Sequence, residues 1–240
     1  MTLPPIDSSA LREWDRLAGA ATTARAEPRS VGPRTVEVVR LAAKIVLVAL
    51  LPFIALVKVA VLLYQHEGWP TAFALAGGVA CTAAVVTAYG TWAWHRLSGR
   101  VRLGLIARRF AFPLVVAYCG YALIYLSSAN AKSERVRAYY ASLHPLLRVA
   151  LSTLILVDRD AVITDLARRP EDYQAMGLPP NDGSLHYVQR DGYAHAADLR
   201  TAGRSELKNR LVQAYFWSMG FATLRHVGTG DHLHLELPVR

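Results

Sequence analysis

The run IVLVALLPFIALVKVAVLLY, residues 45–64, decides what kind of protein this is. Its only Asp, Glu, Lys or Arg is Lys58, and its length matches about one bilayer thickness of α-helix. Lys58 lies near the end of the run, so its stem can follow the helix and carry the ammonium outward to the interface. Residues 71–94 form a second run with no charge at all. Residues 110–126 form a third, shorter run that Ser127, Ser128 and Ala129 can lengthen. Pro52 and Gly77-Gly78 are expected to mark kinks and close helix packing rather than a transport pathway. With one lysine among them, these runs suit an anchor and not a transporter.

Composition agrees. A chain of 240 residues that is 53% hydrophobic, with positive mean hydropathy, is ordinary for a protein roughly half embedded in a lipid bilayer. The net charge of +9 comes largely from arginines beside the apolar runs, where membrane orientation accounts for them. No aromatic-and-basic recognition module accompanies them, so no nucleic-acid partner is expected. Arg25, Arg29, Arg34, Arg40 and Lys44 precede the first run, and Arg96, Arg100, Arg102, Arg108 and Arg109 occupy the second loop. The first loop, His66-Glu67-Gly68-Trp69-Pro70, has no Lys or Arg. The positive-inside rule then predicts a cytoplasmic N-terminus and second loop, three spans, and everything after about residue 128 outside.

The expected organisation is a disordered cytoplasmic tail over 1–35, a three-helix transmembrane anchor over 36–129, and a small extracytoplasmic α+β domain with an antiparallel sheet over 130–240. In the tail, Asp7-Ser8-Ser9 can cap a short helix through Leu11, Trp14 and Leu17. In the last domain, residues 133–157 have helical periodicity broken at Pro145, and Arg148 marks residues 146–157 as a core helix rather than a fourth span. Residues 162–164 read as a strand and residues 171–182 as a loop. Residues 186–189 and 193–199 read as a hairpin around Arg190-Asp191-Gly192. Ser205 caps a helix that Gly220 closes, and residues 221–227 and 232–237 form a second hairpin. Both cysteines, Cys81 and Cys119, fall in predicted spans, so a metal site in this domain has to use His and carboxylate ligands.

Such ligands are present. In Asp231-His232-Leu233-His234-Leu235-Glu236, strand alternation puts the leucines on a core face and His232, His234 and Glu236 on the other. In the first hairpin, a turn at 190–192 sets Gln189 opposite Tyr193, which brings His186 onto the face of Asp198 and turns His195 away. His186, Asp198 and His234 are ligands suited to a three-coordinate zinc with one position open to water. A histidine on a strand is more commonly a surface or hydrogen-bonded residue, and Asp198 beside Arg200 equally suits a structural ion pair; co-occurrence in one domain is what singles them out.

These residues resemble the zinc D-alanyl-D-alanine carboxypeptidase and dipeptidase family, which shares its fold with the hedgehog signalling domain. That family carries Ser-x-His-x-x-Gly-x-Ala-x-Asp, then a helix, then a strand with His-x-His or Glu-x-x-His. Ser184-Leu185-His186 looks like the start of the first motif, Tyr193-Ala194-His195-Ala196-Ala197-Asp198-Leu199 like its second half, and residues 231–236 like the second motif. The resemblance covers roughly residues 143–240 and none of the membrane segment. It departs in spacing: the family's Asp follows its His by seven positions, whereas His186 and Asp198 are twelve apart. Either an enlarged hairpin keeps His186 as ligand, the preferred register, or Asp191 stands in for the histidine; a degenerate site that binds without cutting is a third outcome. The resemblance implies a zinc peptidase of bacterial peptidoglycan stem peptides in the cytoplasmic membrane, with His186, Asp198 and His234 on zinc. It implies His232 or Asp231 as general base with Glu236 as an outer partner. Arg200, Arg225 and Arg148 are candidate clamps for the substrate carboxylate. The competing expectation is a non-catalytic wall-binding or regulatory membrane protein that keeps the fold.

Overall fold

The computed structural model describes residues 33–175, 177, 179, 181, 183–228 and 230–239, together with Ser9, Arg12, Glu13, Asp15 and Arg16, which are helical. Most of the expected tail and its short helix, including Leu11, Trp14 and Leu17, lies outside the described residues. The chain divides into two compact units, Met1–Leu47 and Val48–Arg240, and the packing described below belongs to the second.

Among the described residues, three helices are long and apolar enough to cross a membrane: α1, Pro33–Gln65, α2, Thr71–Ser98, and α3, Leu103–Ile124. The third differs from expectation at both ends. It starts earlier, drawing Arg108 and Arg109 into a π-helical turn over Ala107–Ala111. It stops at Ile124 because Tyr125 turns extended, and Ser127 then caps a 3₁₀ turn over Ser128–Asn130 instead of prolonging the helix. Pro52 has no N–H, which leaves the carbonyl of Val48 without its helical donor; the Tyr89 hydroxyl on α2 donates to it at 3.1 Å. Thr82 donates to the Pro52 carbonyl at 3.2 Å. Lys58 is exposed, as its position near the helix end requires.

After α3 come α4, Glu134–Ala138, and α5, Pro145–Val157. Helical periodicity is interrupted over residues 139–144, where a 3₁₀ turn and His144, the N-cap of α5, precede Pro145. Ten of the thirteen α5 residues are buried, which fits a core helix. Polar side chains of α5 and of the turn before it meet α3, whose last carbonyls have no helical donors. Tyr140 donates to Ala122 O at 2.7 Å, Arg148 donates to Leu123 O at 2.6 Å, and Tyr118 bonds Thr153 at 2.8 Å. Burial pushes the Tyr140 hydroxyl up to about 12, so it stays a donor.

Four strands follow in the sheet order β1-β2-β4-β3, all neighbours antiparallel: β1, Ile163–Asp165; β2, Ala196–Arg200; β3, Ala222–His226; β4, His232–Glu236. Helix α6, Pro170–Ala175, stands where a loop was expected. Proline suits its first turn, and Asp172 reaches back to accept from the Arg169 N–H at 2.7 Å, half of a capping box. Helix α7, Glu206–Met219, begins at the Ser205 cap and ends at Gly220 with φ of 101°, as read from the sequence. The first hairpin is a correction. Only the bridge Val188↔Ala194 forms, His186 lies in a turn, and β2 pairs with β1 and β4 instead. One apolar core runs from Leu56 and Val61 of α1 through Leu147 and Leu151 of α5 to Leu199, Leu233 and Leu235 of the sheet.

Close packing of α1 on α2 rests on Gly78. A Cβ there would lie 2.5 Å from the Leu56 carbonyl oxygen and 3.0 Å from the Ala60 methyl. Gly120, in α3, has nothing within 4 Å of the same position. Thermal unfolding in detergent should show Gly78→Leu destabilised by about 1–3 kcal/mol, and Gly120→Ala unchanged or stabilised by up to about 1 kcal/mol.

Candidate metal centre

Backbone pairing places two of the three expected ligands without further help. Asp198, in the middle of β2, is the direct antiparallel partner of His234 in β4, so both side chains rise from the same face. Leu233, Leu235 and Leu237 are buried on the other face, as alternation requires. The third ligand arrives on a turn. Arg168 N donates to His186 O at 2.9 Å, tying this turn to the segment after β1, and Ser184 accepts from His186 N at 3.3 Å. Tyr173 donates to the same serine at 2.6 Å.

The result is a convergence of acceptors. His186 Nε2 lies 3.3 Å from His234 Nδ1 and 3.4 Å from Asp198 Oδ1, and His234 Nδ1 lies 2.7 Å from that oxygen. Each ring is fixed from behind. His186 Nδ1 faces the carbonyl of Leu166, which only accepts, so that nitrogen carries the proton and Nε2 carries the lone pair. His234 Nε2 faces Glu236 Oε1 at 2.9 Å and Nδ1 faces Asp198, so the ring lies between two carboxylates, and Nδ1 offers a lone pair once its proton is displaced. The second oxygen of Asp198 accepts from Arg168 at 3.0 Å, and Arg168 is itself held by Asp165 at 2.6 Å. With no metal bound, a proton on His234 Nδ1 satisfies Asp198, and a divalent cation at the focus of the three atoms can take that proton's place. Ligands about 2.0–2.2 Å from a tetrahedral zinc stand roughly 3.3 Å apart. Two of the three separations match, and the shortest needs to open by roughly 0.6 Å. These residues fit a divalent metal.

A second His/Asp group exists among the described residues: His144, Asp191 and His195. It does not offer the same donor set. Leu146 N donates to His144 Nδ1 at 3.3 Å, so His144 Nε2 carries a proton and points it at Thr71 Oγ1, 3.0 Å away. His195 stands between two acceptors, Leu237 O at 3.1 Å and Asp191 Oδ2 at 2.8 Å. Ring protons hold this group together. His195 thus turns away from Asp198 as expected, and Asp191 sits with His195 rather than in the triad.

The remaining expected residues divide. Glu236 is the outer partner of His234. His232 turns Nδ1 to the Gly230 carbonyl, stacks on His226 at 4.6 Å, and brings Nε2 within 3.8 Å of Asp198 Oδ1. Asp231 is occupied: Arg225 binds both of its oxygens, at 2.8 and 2.9 Å, and Thr201 donates to it at 2.7 Å. Arg225 is thereby structural, and so is Arg148, which lies on the α3 carbonyl and over the Tyr193 ring. Arg200 is exposed and is the cross-strand partner of His232. Sequence reasoning missed Arg168 and the Leu166 carbonyl. An Asp165-x-x-Arg168 spacing is the only trace they leave, and it is common. Comparison of the chain with family models, curated proteins and solved structures finds no match in any of the three.

Burial pushes the Asp198 carboxyl up, but bonds and charge from His186 and His234 outweigh this and hold it far below the usual range. Burial pushes the His234 imidazole down, and Asp198 and Glu236 more than reverse that, leaving it raised. A histidine raised by folding contributes stability that is complete below its ordinary value of about 6.5 and lost as pH rises through the folded value. The depressed carboxyl acts in the opposite sense and only at pH below about 4. Chelated protein should therefore melt higher at about pH 6 than at about pH 8.5, and zinc should raise the midpoint more at the higher pH. Unchanged melting across that interval contradicts the assignment. Zinc titration of variants should show His186→Ala and His234→Ala losing the site, with Asp191→Ala nearly unaffected. The opposite order for residues 186 and 191 would make Asp191 the ligand.

Proposed function

We propose that the chain is a membrane-anchored zinc peptidase of D-alanine-containing peptidoglycan stem peptides. Three acceptor atoms, each held by a partner on its far side, carry this reading. The motif resemblance around His186, Asp198 and His234 selects peptide hydrolysis among metal chemistries. Arginines flank the N-terminal side of α1 and the α2–α3 junction, and none lies in residues 66–70. That asymmetry supports a cytoplasmic N-terminus in a bacterial inner membrane and a sheet domain on the wall side.

His186, Asp198 and His234 would hold the zinc ion, which would supply Lewis acidity to a water and to the scissile carbonyl. The chain's own groups do the rest. His232, its Nδ1–H given to Gly230, presents Nε2 beside the ligand cluster and takes the proton of the attacking water. It then returns that proton to the leaving amine. Asp231 cannot share this role while Arg225 and Thr201 occupy its oxygens. Arg200, one strand across from His232, binds the terminal carboxylate of the peptide. Glu236 and the Leu166 carbonyl keep the two ligand rings in the coordinating tautomer.

The test uses the full chain with a peptide ending in D-alanyl-D-alanine, measuring released D-alanine alongside bound zinc. His232→Ala should keep zinc and lose about 10²–10⁴-fold in kcat/KM. Arg200→Ala should raise KM for the free acid and leave the C-terminal amide unaffected. Stoichiometric zinc without hydrolysis would replace the enzyme by a wall-binding module, and a C-terminal reporter active only in the cytoplasm would overturn the wall-side placement.

A further inference from the structure

A groove of about 580 Å³ opens between α1, α5 and α7, away from the metal centre. Its walls are apolar: Leu50, Phe53 and Ile54 of α1, Leu156 of α5, and Leu211 and Met219 of α7. One end is polar, formed by Asp158, Arg159, Asp160 and Lys208; Lys208 pairs with Asp158 at 2.7 Å and with Asp160 at 3.2 Å, and Arg204 also pairs with Asp158. The volume lies within the ~300–1,000 Å³ range of small-ligand sites.

Two further observations say what covers it. One wall belongs to a helix long and apolar enough to span a bilayer, and the neighbouring Leu51 of that helix is exposed. The groove is therefore continuous with the surface that faces lipid. Helix α7 also breaks the usual pattern of a soluble amphipathic helix. Val212, Phe216 and Met219 make its buried face, yet Leu207 and Leu211, one turn apart on another face, are 69% and 61% exposed. Val157, at the end of α5, is 69% exposed. Gln65, at the end of α1, donates to Gly220 O at 3.1 Å, which fixes the end of α7 against that helix and directs this second apolar stripe along it.

We propose that this groove is a binding site for one acyl chain of a bilayer phospholipid. The chain enters from the lipid around α1 and lies between α5 and α7. It joins the sheet domain to the membrane at a second place besides the α3 end. The proposal rests on the spanning reading of α1–α3 but not on the metal site.

The experiment reconstitutes the full chain in nanodiscs of phosphatidylethanolamine and phosphatidylglycerol, doped with a phospholipid bearing a diazirine on its acyl chain. After irradiation, adducts are mapped by mass spectrometry. Adducts are expected on residues 153–160 and 208–219 as well as on α1–α3. Leu211→Trp and Ser218→Trp, both at exposed positions lining the groove, should reduce the first set several-fold and leave the second unchanged. Adducts on α1–α3 alone, or groove adducts indifferent to both tryptophans, would overturn the acyl-chain site and leave the spans standing. Protein–protein adducts at the groove would make its occupant a second copy and overturn the proposal. Failure to enter nanodiscs, with no adducts anywhere, would overturn the spanning reading together with it.

Discussion

The antiparallel pairing of β2 with β4 puts Asp198 directly across from His234, and the chemistry proposed for this chain depends on that pair. A buried carboxylate beside an imidazole lone pair is unfavourable unless something positive lies between them. The surroundings make a neutral escape difficult. Glu236 and the Leu166 carbonyl each hold one ring N–H, so a neutral His234 or His186 turns a bare nitrogen to Asp198, and an imidazolium or a metal ion is what satisfies the pair. Arg168 supplies positive charge to the far oxygen only. The site could hold a metal ion, and its framework is the backbone pairing of β2 with β4.

That framework is attached to the apolar helices by polar contacts at a helix end. The last carbonyls of α3 accept from Tyr140 and Arg148, so a buried guanidinium and a phenol replace the donors a longer helix would have supplied. Leu147 and Leu151 then join the sheet core to the side chains of α1. Mutations at Arg148 are accordingly expected to act on folding and not on substrate, which removes it from the carboxylate clamps read from the sequence.

Much of this is legible in the sequence. Period-2 alternation in residues 232–236 identified both faces of β4, because leucine and histidine differ so sharply in their cost of burial. Ser205 and Gly220 bounded α7 for local reasons, a side-chain cap and a left-handed backbone. His186 was found for a partly mistaken reason. The hairpin that was to carry it hardly forms, and a turn fastened to residues 166–168 delivers the same ring instead. Arg168 was invisible because its partners, Asp165 and Asp198, are brought to it by sheet assembly and not by spacing. The same holds for His144, which meets Asp191 and His195 only once Leu143 pairs beside Ala194. Hydropathy alone does not locate the start of α3, because a π-helical turn accommodates two arginines there.

X-ray absorption at the zinc edge, on the full chain loaded with one equivalent of zinc, tests the central claim most directly. The account predicts a shell of nitrogen and oxygen only, with ligands at about 2.0–2.2 Å. It also predicts the multiple scattering of two imidazoles, reduced to that of one in His186→Ala. A shell containing sulfur, or one unchanged by removal of His186, would place the metal elsewhere and contradict the account.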